Sequence, residues 1–376
     1  MFGLKGNIVL GDTIIENGVL VVEDDHIYNI TPELDNIPIE IFKDCYIMPG
    51  FVDIHTHGAV GVDVMDGDPQ GIVKMAEFLA AHGVTSFLPT TTTLDIETTR
   101  KAILAVKKAK EIDKTGAKIL GIHLEGPFIN PKYKGAQNEQ FIVEPTKEVL
   151  NKLTEEDIVK LITIAPELSG AEETIKILRD KGINVSMGHS DATYDDTMKG
   201  VISGATQVTH LFNGMRPFHH REPGIIGAAL ATDAIRCQII ADGIHLHFGT
   251  IRMVYKAKGY RNIILISDSM SATGLSDGNY ELGGLKVSVK SGAPRLPNGS
   301  LAGSTLTLDV AVRNMVNKAF IPLPFVSKMA SKVPAESIGE FDIGEFSYGK
   351  KADITILDKS FKVIRTYIDG RLIYES

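Results

Sequence analysis

From residue 49 onward, short apolar runs alternate with amphipathic stretches of helical length, and this alternation narrows the possible folds more than any other feature. Strand-like and helix-like segments in succession are the signature of βα units, in which crossover helices cover a parallel sheet. The strand candidates are residues 51–55, 84–89, 119–125, 161–165, 184–189, 207–211, 238–241 and 263–268. Helical stretches separate most of them, at 71–82, 96–111, 147–157, 171–181, 194–203 and 250–258, whereas 223–231 is short and glycine-rich. Eight such strands predict an α/β protein with a closed (β/α)8 TIM-like barrel. Residues 280–300 read as an inserted hairpin turning at Pro297-Asn298-Gly299, and 306–318 as the last barrel helix.

The two ends of the chain differ from the middle. Residues 7–10, 19–23 and 26–30 read as short strands with a turn signal at Glu16-Asn17-Gly18, and strand-like runs return at 353–357, 363–368 and 371–374. The expectation is a small β-sandwich domain built from 1–48 and 342–376 beside a barrel domain spanning 49–341. A chain of 376 residues, 43% of them hydrophobic, has room for both.

Several function classes are disfavoured. No apolar run approaches the ~20 residues needed to span a bilayer, so no membrane is expected. The start of the chain lacks the blocks of a signal peptide, which predicts a cytoplasmic protein. A net charge of −8 without a Lys/Arg block argues against nucleic acid as the main partner. An anionic substrate would need a local cationic pocket against that overall field. Cys45 and Cys237 lie far apart, read as structural thiols, and fit a reducing compartment.

Barrel enzymes carry their chemistry where strands run into the following loops. Strand one ends in His55-Thr56-His57, strand three in Glu125, strand five in His189, strand six in His210 and strand eight in Asp268. Residues two apart on a strand face the same side, so both imidazoles of the His-x-His pair can enter one barrel mouth. Imidazole with carboxylate suits zinc or iron better than calcium or magnesium. The absence of cysteine from the set suits a catalytic site with an open position. A lone histidine at a strand end is usually a hydrogen-bonded core residue, but so many converging ends are hard to obtain by chance. His26, His82 and His247 read as surface or helix-end residues, and His123 as a partner behind the ligands or a satisfied core group. His219 and His220 sit in a loop.

These residues carry a family resemblance. Pro49-Gly50-Phe51-Val52-Asp53-Ile54-His55-Thr56-His57-Gly58 resembles the opening motif of the amidohydrolase superfamily. His123-Leu124-Glu125-Gly126-Pro127, Gly188-His189-Ser190 and Thr209-His210-Leu211-Phe212-Asn213-Gly214-Met215 are similar to the N-acetylglucosamine-6-phosphate deacetylase family. So are His220-Arg221-Glu222-Pro223-Gly224, Ala241-Asp242-Gly243-Ile244-His245, Ser267-Asp268-Ser269 and Leu301-Ala302-Gly303-Ser304. The resemblance runs to the Lys351-Ala352-Asp353-Ile354 tail.

The resemblance implies that Glu125, His189 and His210 hold the main metal, that His55 and His57 match a second position, and that Asp268 is the general acid and base. One or two divalent metals per subunit, zinc or iron, would supply hydroxide that attacks the acetamide of N-acetyl-D-glucosamine 6-phosphate, releasing acetate. Many family members have a histidine in the loop after strand three to bond the acetyl carbonyl; here Gln137 follows Lys134-Gly135-Ala136, and could donate but not carry a proton charge. Arg221 and His245, with the backbone at Asn213 and Gly214, are the implied phosphate partners. The resemblance also implies a homodimer in which the loop carrying Arg221 reaches a neighbouring site. The rivals are a deacetylase of another amino-sugar phosphate, a different amidohydrolase, and a scaffold that has lost catalysis. Strand four ends Ala165-Pro166-Glu167, without the lysine expected of many cyclic amide hydrolases. A lapsed scaffold would lack ligands, and none is missing.

Overall fold

In a computed structural model, which describes residues 1–33, 37–112 and 115–376, the alternation closes into a barrel. Its eight strands are Phe51–Thr56, Val84–Thr91, Ile122–Glu125, Val159–Ile164, Asn184–Met187, Gln207–Val208, Arg236–Ile240 and Ile263–Ile266, each hydrogen-bonded to the next in sequence order. Strands one and eight meet at the mouth, where the Asp268 N–H donates to His55 O at 2.9 Å and Thr56 bridges in parallel to Ser269.

The outer helices follow from local sequence. Helix Pro69–Ala81 begins at Asp68, whose carboxylate accepts from the N–H groups of Gln70 and Gly71. Its buried residues Ile72, Met75, Ala76, Leu79 and Ala80 recur at helical spacing and face the barrel wall. Tyr194–Ser203 begins at a capping box between Thr193 and Asp196.

Some segments depart from the sequence reading. The third strand is interrupted: Lys118–Ile119 pairs beside strand two, and the ladder resumes at Ile122. Between them, a Cβ on Gly121 would come within 2.5 Å of Ile158 O, so this close approach needs glycine. The glycine-rich stretch after strand six forms a helix, Gly224–Ala231. Two further helices, Leu323–Ala330 and Lys332–Ser337, follow Leu308–Asn317. Prolines obscure them in the sequence, yet Pro324 and Pro334 fall in first turns, where no intrahelical N–H is needed.

Strands from both ends of the chain form one seven-stranded sheet, in which Phe2–Val9 lies parallel to Ile39–Pro49. The sheet curls until Ile27 N–H donates to Lys350 O at 2.8 Å, enclosing Leu4, Ile8, Leu20, Ile27, Ile47 and Ile356. The terminal strands thus come together beside the barrel as expected, in one seven-stranded sheet. Asn17 is a bulge rather than a turn: it lies within strand Ile14–Glu23 at φ 53°, opposite a register shift between Gly6 and Ile8.

Lys118 ties this sheet to the barrel, its Nζ standing 2.9 Å from the Asp353 carboxylate and 2.8 Å from that of Asp369. Burial raises the pKa of Asp353, and Lys118 is its chief counterweight. Lys118→Ala should therefore lower unfolding stability at neutral pH by about 2 kcal/mol. That is below the 3–5 of a fully buried pair because the ammonium is partly exposed. Urea denaturation with an unchanged midpoint would show that the clamp contributes nothing.

Candidate metal centre

Glu125 ends strand three inside the barrel mouth and is almost wholly buried, 2% exposed. Around it stand two trios of ligand-type atoms. In one, His189 Nε2 and His210 Nε2 lie 3.2 and 3.0 Å from Glu125 Oε1 and 3.1 Å from each other. In the other, His55 Nε2 lies 3.3 Å from Glu125 Oε1, His57 Nε2 lies 3.3 Å from Oε2, and the two imidazoles are 3.2 Å apart. Asp268 Oδ1 completes the second group, 3.4 Å from His55 Nε2 and 3.2 Å from His57 Nε2.

The backbone supplies this convergence at a cost in strain. The chain leaves the ladder early in strands five, six and eight, and His189, His210 and Asp268 take positive φ values of 47°, 30° and 50°. Such conformations are costly for non-glycine residues and persist where the surroundings enforce them. Packing is tight as well: a Cβ on Gly214 would lie 2.9 Å from His189 Nδ1.

The donor set fits a divalent cation. His57 Nδ1 lies 3.1 Å from Thr90 O and His189 Nδ1 lies 2.9 Å from Tyr133 O. A carbonyl only accepts, so each Nδ1 carries the hydrogen. Without a cation, Glu125 and Asp268 raise the pKa of both imidazoles against burial; with a cation in place of the Nε2 protons, each neutral ring turns a lone pair inward. Lone pairs and carboxylate oxygens facing one another this closely repel unless a cation lies among them. A tetrahedral zinc with bonds of about 2.0–2.1 Å would place its ligands roughly 3.3 Å apart, the spacing seen in both trios.

Electrostatics agree. Burial would raise the pKa of Glu125, but His55 and His189 outweigh it and hold the carboxyl well below its usual range. Burial likewise opposes ionisation of Asp268, yet His55 and His57 bring its pKa down to about 2. Burial, joined by the neighbouring His55, His57 and His210, holds His123 well below the usual imidazole range. That ring packs edge-on to His55 at 4.7 Å and lies 2.8 Å from Thr163 Oγ1, behind the ligands rather than among them.

The mouth opens into a cavity of about 400 Å³ lined by His57, Glu125, Gln137, His189, His210, Asn213, Gly214, His245 and Asp268. Of the residues singled out from the sequence, only His55 and Arg221 lie outside this lining; His55 is wholly buried just beneath it. Gln137 is held by two hydrogen bonds, accepting from Thr93 N–H at 2.6 Å and donating to Glu125 Oε2 at 2.5 Å. His245 leans on Asp242, Nδ1 to Oδ2 2.7 Å. Arg221 is exposed on its loop, against His220. A larger hollow of about 850 Å³ adjoins through Arg295 and Gly299, but its lining has no histidine and only Glu281 as a carboxylate.

Sequence reasoning missed Arg295, the sole lysine or arginine lining the smaller cavity among the described residues. It comes from the inserted hairpin, distant in sequence from every strand end, and no local motif marks it. It also missed Glu167, whose carboxylate accepts from Asn130 Nδ2, Ser190 Oγ and Asp191 N–H and so joins the loops after strands three and five.

A barrel whose mouth gathers four histidines and two carboxylates is the architecture of a metal-dependent hydrolase. Residues 46–373 match the Amidohydrolase family, and the chain belongs to that family. Within it, the chain is 38% identical to the N-acetylglucosamine-6-phosphate deacetylase of Bacillus subtilis, over 98% of this chain and 96% of that protein. It is 36% identical to the N-acetylgalactosamine-6-phosphate deacetylase of Escherichia coli, over 93% of this chain and 95% of that protein. The crystal structure of the N-acetylglucosamine-6-phosphate deacetylase of Thermotoga maritima superposes with a TM-score of 0.91 at 36% identity, covering 99% of each chain.

Because Glu125 belongs to both trios, Glu125→Ala should abolish tight binding at both positions, whereas His57→Ala should spare the His189–His210 position. Elemental analysis after dialysis distinguishes these outcomes. Equal metal content in the two variants would show that Glu125 is not shared.

Proposed function

We propose that the chain hydrolyses the acetamide of N-acetyl-D-glucosamine 6-phosphate to D-glucosamine 6-phosphate and acetate. The observation that carries this is the placement of Asp268. Its carboxylate opens into the same cavity as the two ligand trios, where an acetamide and a water could meet. A bound divalent cation, held by Glu125, His189 and His210 and a second by His55, His57 and Glu125, would acidify water and polarise the carbonyl.

Asp268, ionised, accepts a proton from the attacking water as the C–O bond forms. It returns that proton to the amine nitrogen as the C–N bond breaks, so acetate and the free amine leave in balance. Gln137 keeps one Nε2 hydrogen after bonding Glu125, and that hydrogen is the donor for the acetyl oxygen as charge builds there. His245, oriented by Asp242, presents Nε2 to the sugar phosphate beside Asn213 and Gly214. Asp268→Asn should keep its metal and lose at least ~100-fold in kcat. Acetate release within tenfold of wild type would assign the proton transfer to another group.

The phosphate needs cations, and two arginines suit it. Arg295 is the one within reach of its own cavity. Arg221 is exposed and outside the lining of that cavity, which suits a homodimer in which its loop enters the neighbour's site. Arg221→Ala and Arg295→Gln should each raise KM for the phosphorylated sugar by roughly tenfold, with far less effect on unphosphorylated N-acetylglucosamine. Mixing each with inactive Asp268→Asn protein separates the two. Exchange should restore activity with Arg221→Ala, whose partner supplies the missing group, and not with Arg295→Gln. No recovery with Arg221→Ala, once subunit exchange is verified, would place Arg221 outside any shared site.

The Escherichia coli relative acting on the galactosamine epimer supports a second reading, in which the 4-hydroxyl is inverted. Comparing kcat/KM for the two N-acetylhexosamine 6-phosphates decides between them. A cytoplasmic location fits this reading, because Cys45 and Cys237 are free and would stay reduced there; burial pushes the Cys237 thiol up to about 12.

A further inference from the structure

Two buried glutamines form a chain of hydrogen bonds beneath the metal centre. Gln207 is the first residue of strand six, and its Nε2 donates to Ser337 O at 2.9 Å. Gln238, in strand seven, donates from Nε2 to Gln207 Oε1 at 3.1 Å. Gln238 Oε1 then faces His55 Nδ1 at 3.3 Å. Gln207, Gln238 and His55 are all fully buried at 0% exposure.

The direction of this chain is fixed at its far end. Ser337 closes helix Lys332–Ser337, so its carbonyl lacks an intrahelical partner and can only accept. Gln207 must therefore turn Nε2 toward it and Oε1 toward Gln238. Gln238 must in turn give Nε2 to Gln207, which leaves only an acceptor for His55. An acceptor opposite Nδ1 requires the hydrogen there, and the neutral ring is left with its lone pair on Nε2. That atom is the one 3.2 Å from His57 Nε2 and 3.3 Å from Glu125. Reversing either amide would set two acceptors or two donors against each other among fully buried groups.

Resting on the deacetylase reading for the identity of the site, we propose that Gln207 and Gln238 are positioning residues for a second divalent cation. They transmit the polarity of the Ser337 carbonyl through the barrel to fix the tautomer of His55. Neither glutamine touches a cation or substrate in this scheme. Gln207 touches no ligand at all, which makes it the informative position.

The test uses the full chain and zinc, without substrate, so its failure leaves the deacetylase reading standing. Wild-type protein should bind two zinc ions per chain by calorimetry and elemental analysis. Gln238→Met and Gln207→Met keep side-chain length and remove the amide. Each should retain one zinc and bind the second at least tenfold more weakly, in the range typical of losing a partner behind a ligand. Unchanged second-site affinity in Gln207→Met overturns the relay, as does parallel loss of both ions. A measurement on wild-type protein needs no variant: in ¹⁵N-histidine-labelled protein, His55, assigned by its loss in His55→Asn, should carry its hydrogen on Nδ1. A hydrogen on Nε2 overturns the proposal.

Discussion

A carboxylate inside a barrel is expensive unless donors or positive charge surround it, and Glu125 sets that requirement for the whole mouth. One oxygen faces His55, His189 and His210, and the other faces His57 and Gln137. No single strand could supply such a shell, so strands one, three, five and six must end at the same height around one axis. The parallel barrel provides this by placing every strand's C-terminal end on one face. The order runs from buried charge to shell to fold geometry.

The shell also accounts for the irregular parts of the barrel. Strands five, six and eight stop short, and the next residues turn through left-handed backbone to deliver His189, His210 and Asp268. Closure between strands one and eight includes the bonds from Asp268 N–H to His55 O and from His57 N–H to Ser269 O, so residues that close the barrel are also residues of the candidate site. Loosening that seam would separate Asp268 from His55 and His57. Such strain is tolerable because the rest of the barrel is a continuous apolar core running through all eight strands and their helices.

Much of this was legible in the sequence, for identifiable reasons. Apolar periodicity marks a strand or helix whatever the fold, so the eight βα units could be read directly, as could the histidines and carboxylates that interrupt apolar runs at their ends. Asn17 could not be told from a turn, because turn and bulge both require positive φ and both favour Asn-Gly. The helices after residue 322 were hidden by prolines that are harmless only because of their first-turn positions. Gln207 and Gln238 look like ordinary polar residues near strand starts. Their importance lies in partners 130 and 183 residues away, Ser337 and His55, and no local pattern encodes that. A polar side chain in an otherwise apolar barrel strand was the available signal.

Arg295 and Arg221 were hard to place for a further reason, which bears on how the site divides its work. The groups proposed to act on the acetamide are buried and held by the barrel, where a shift of an ångström would matter. Groups suited to the phosphate sit on a hairpin and a loop, exposed, where insertions and changes of sequence are tolerated. A charged phosphate gains from cations at the rim without needing full desolvation, while the neutral acetamide needs the dry, preorganised interior. Selectivity for the far end of the substrate can therefore change without disturbing Glu125 and its shell.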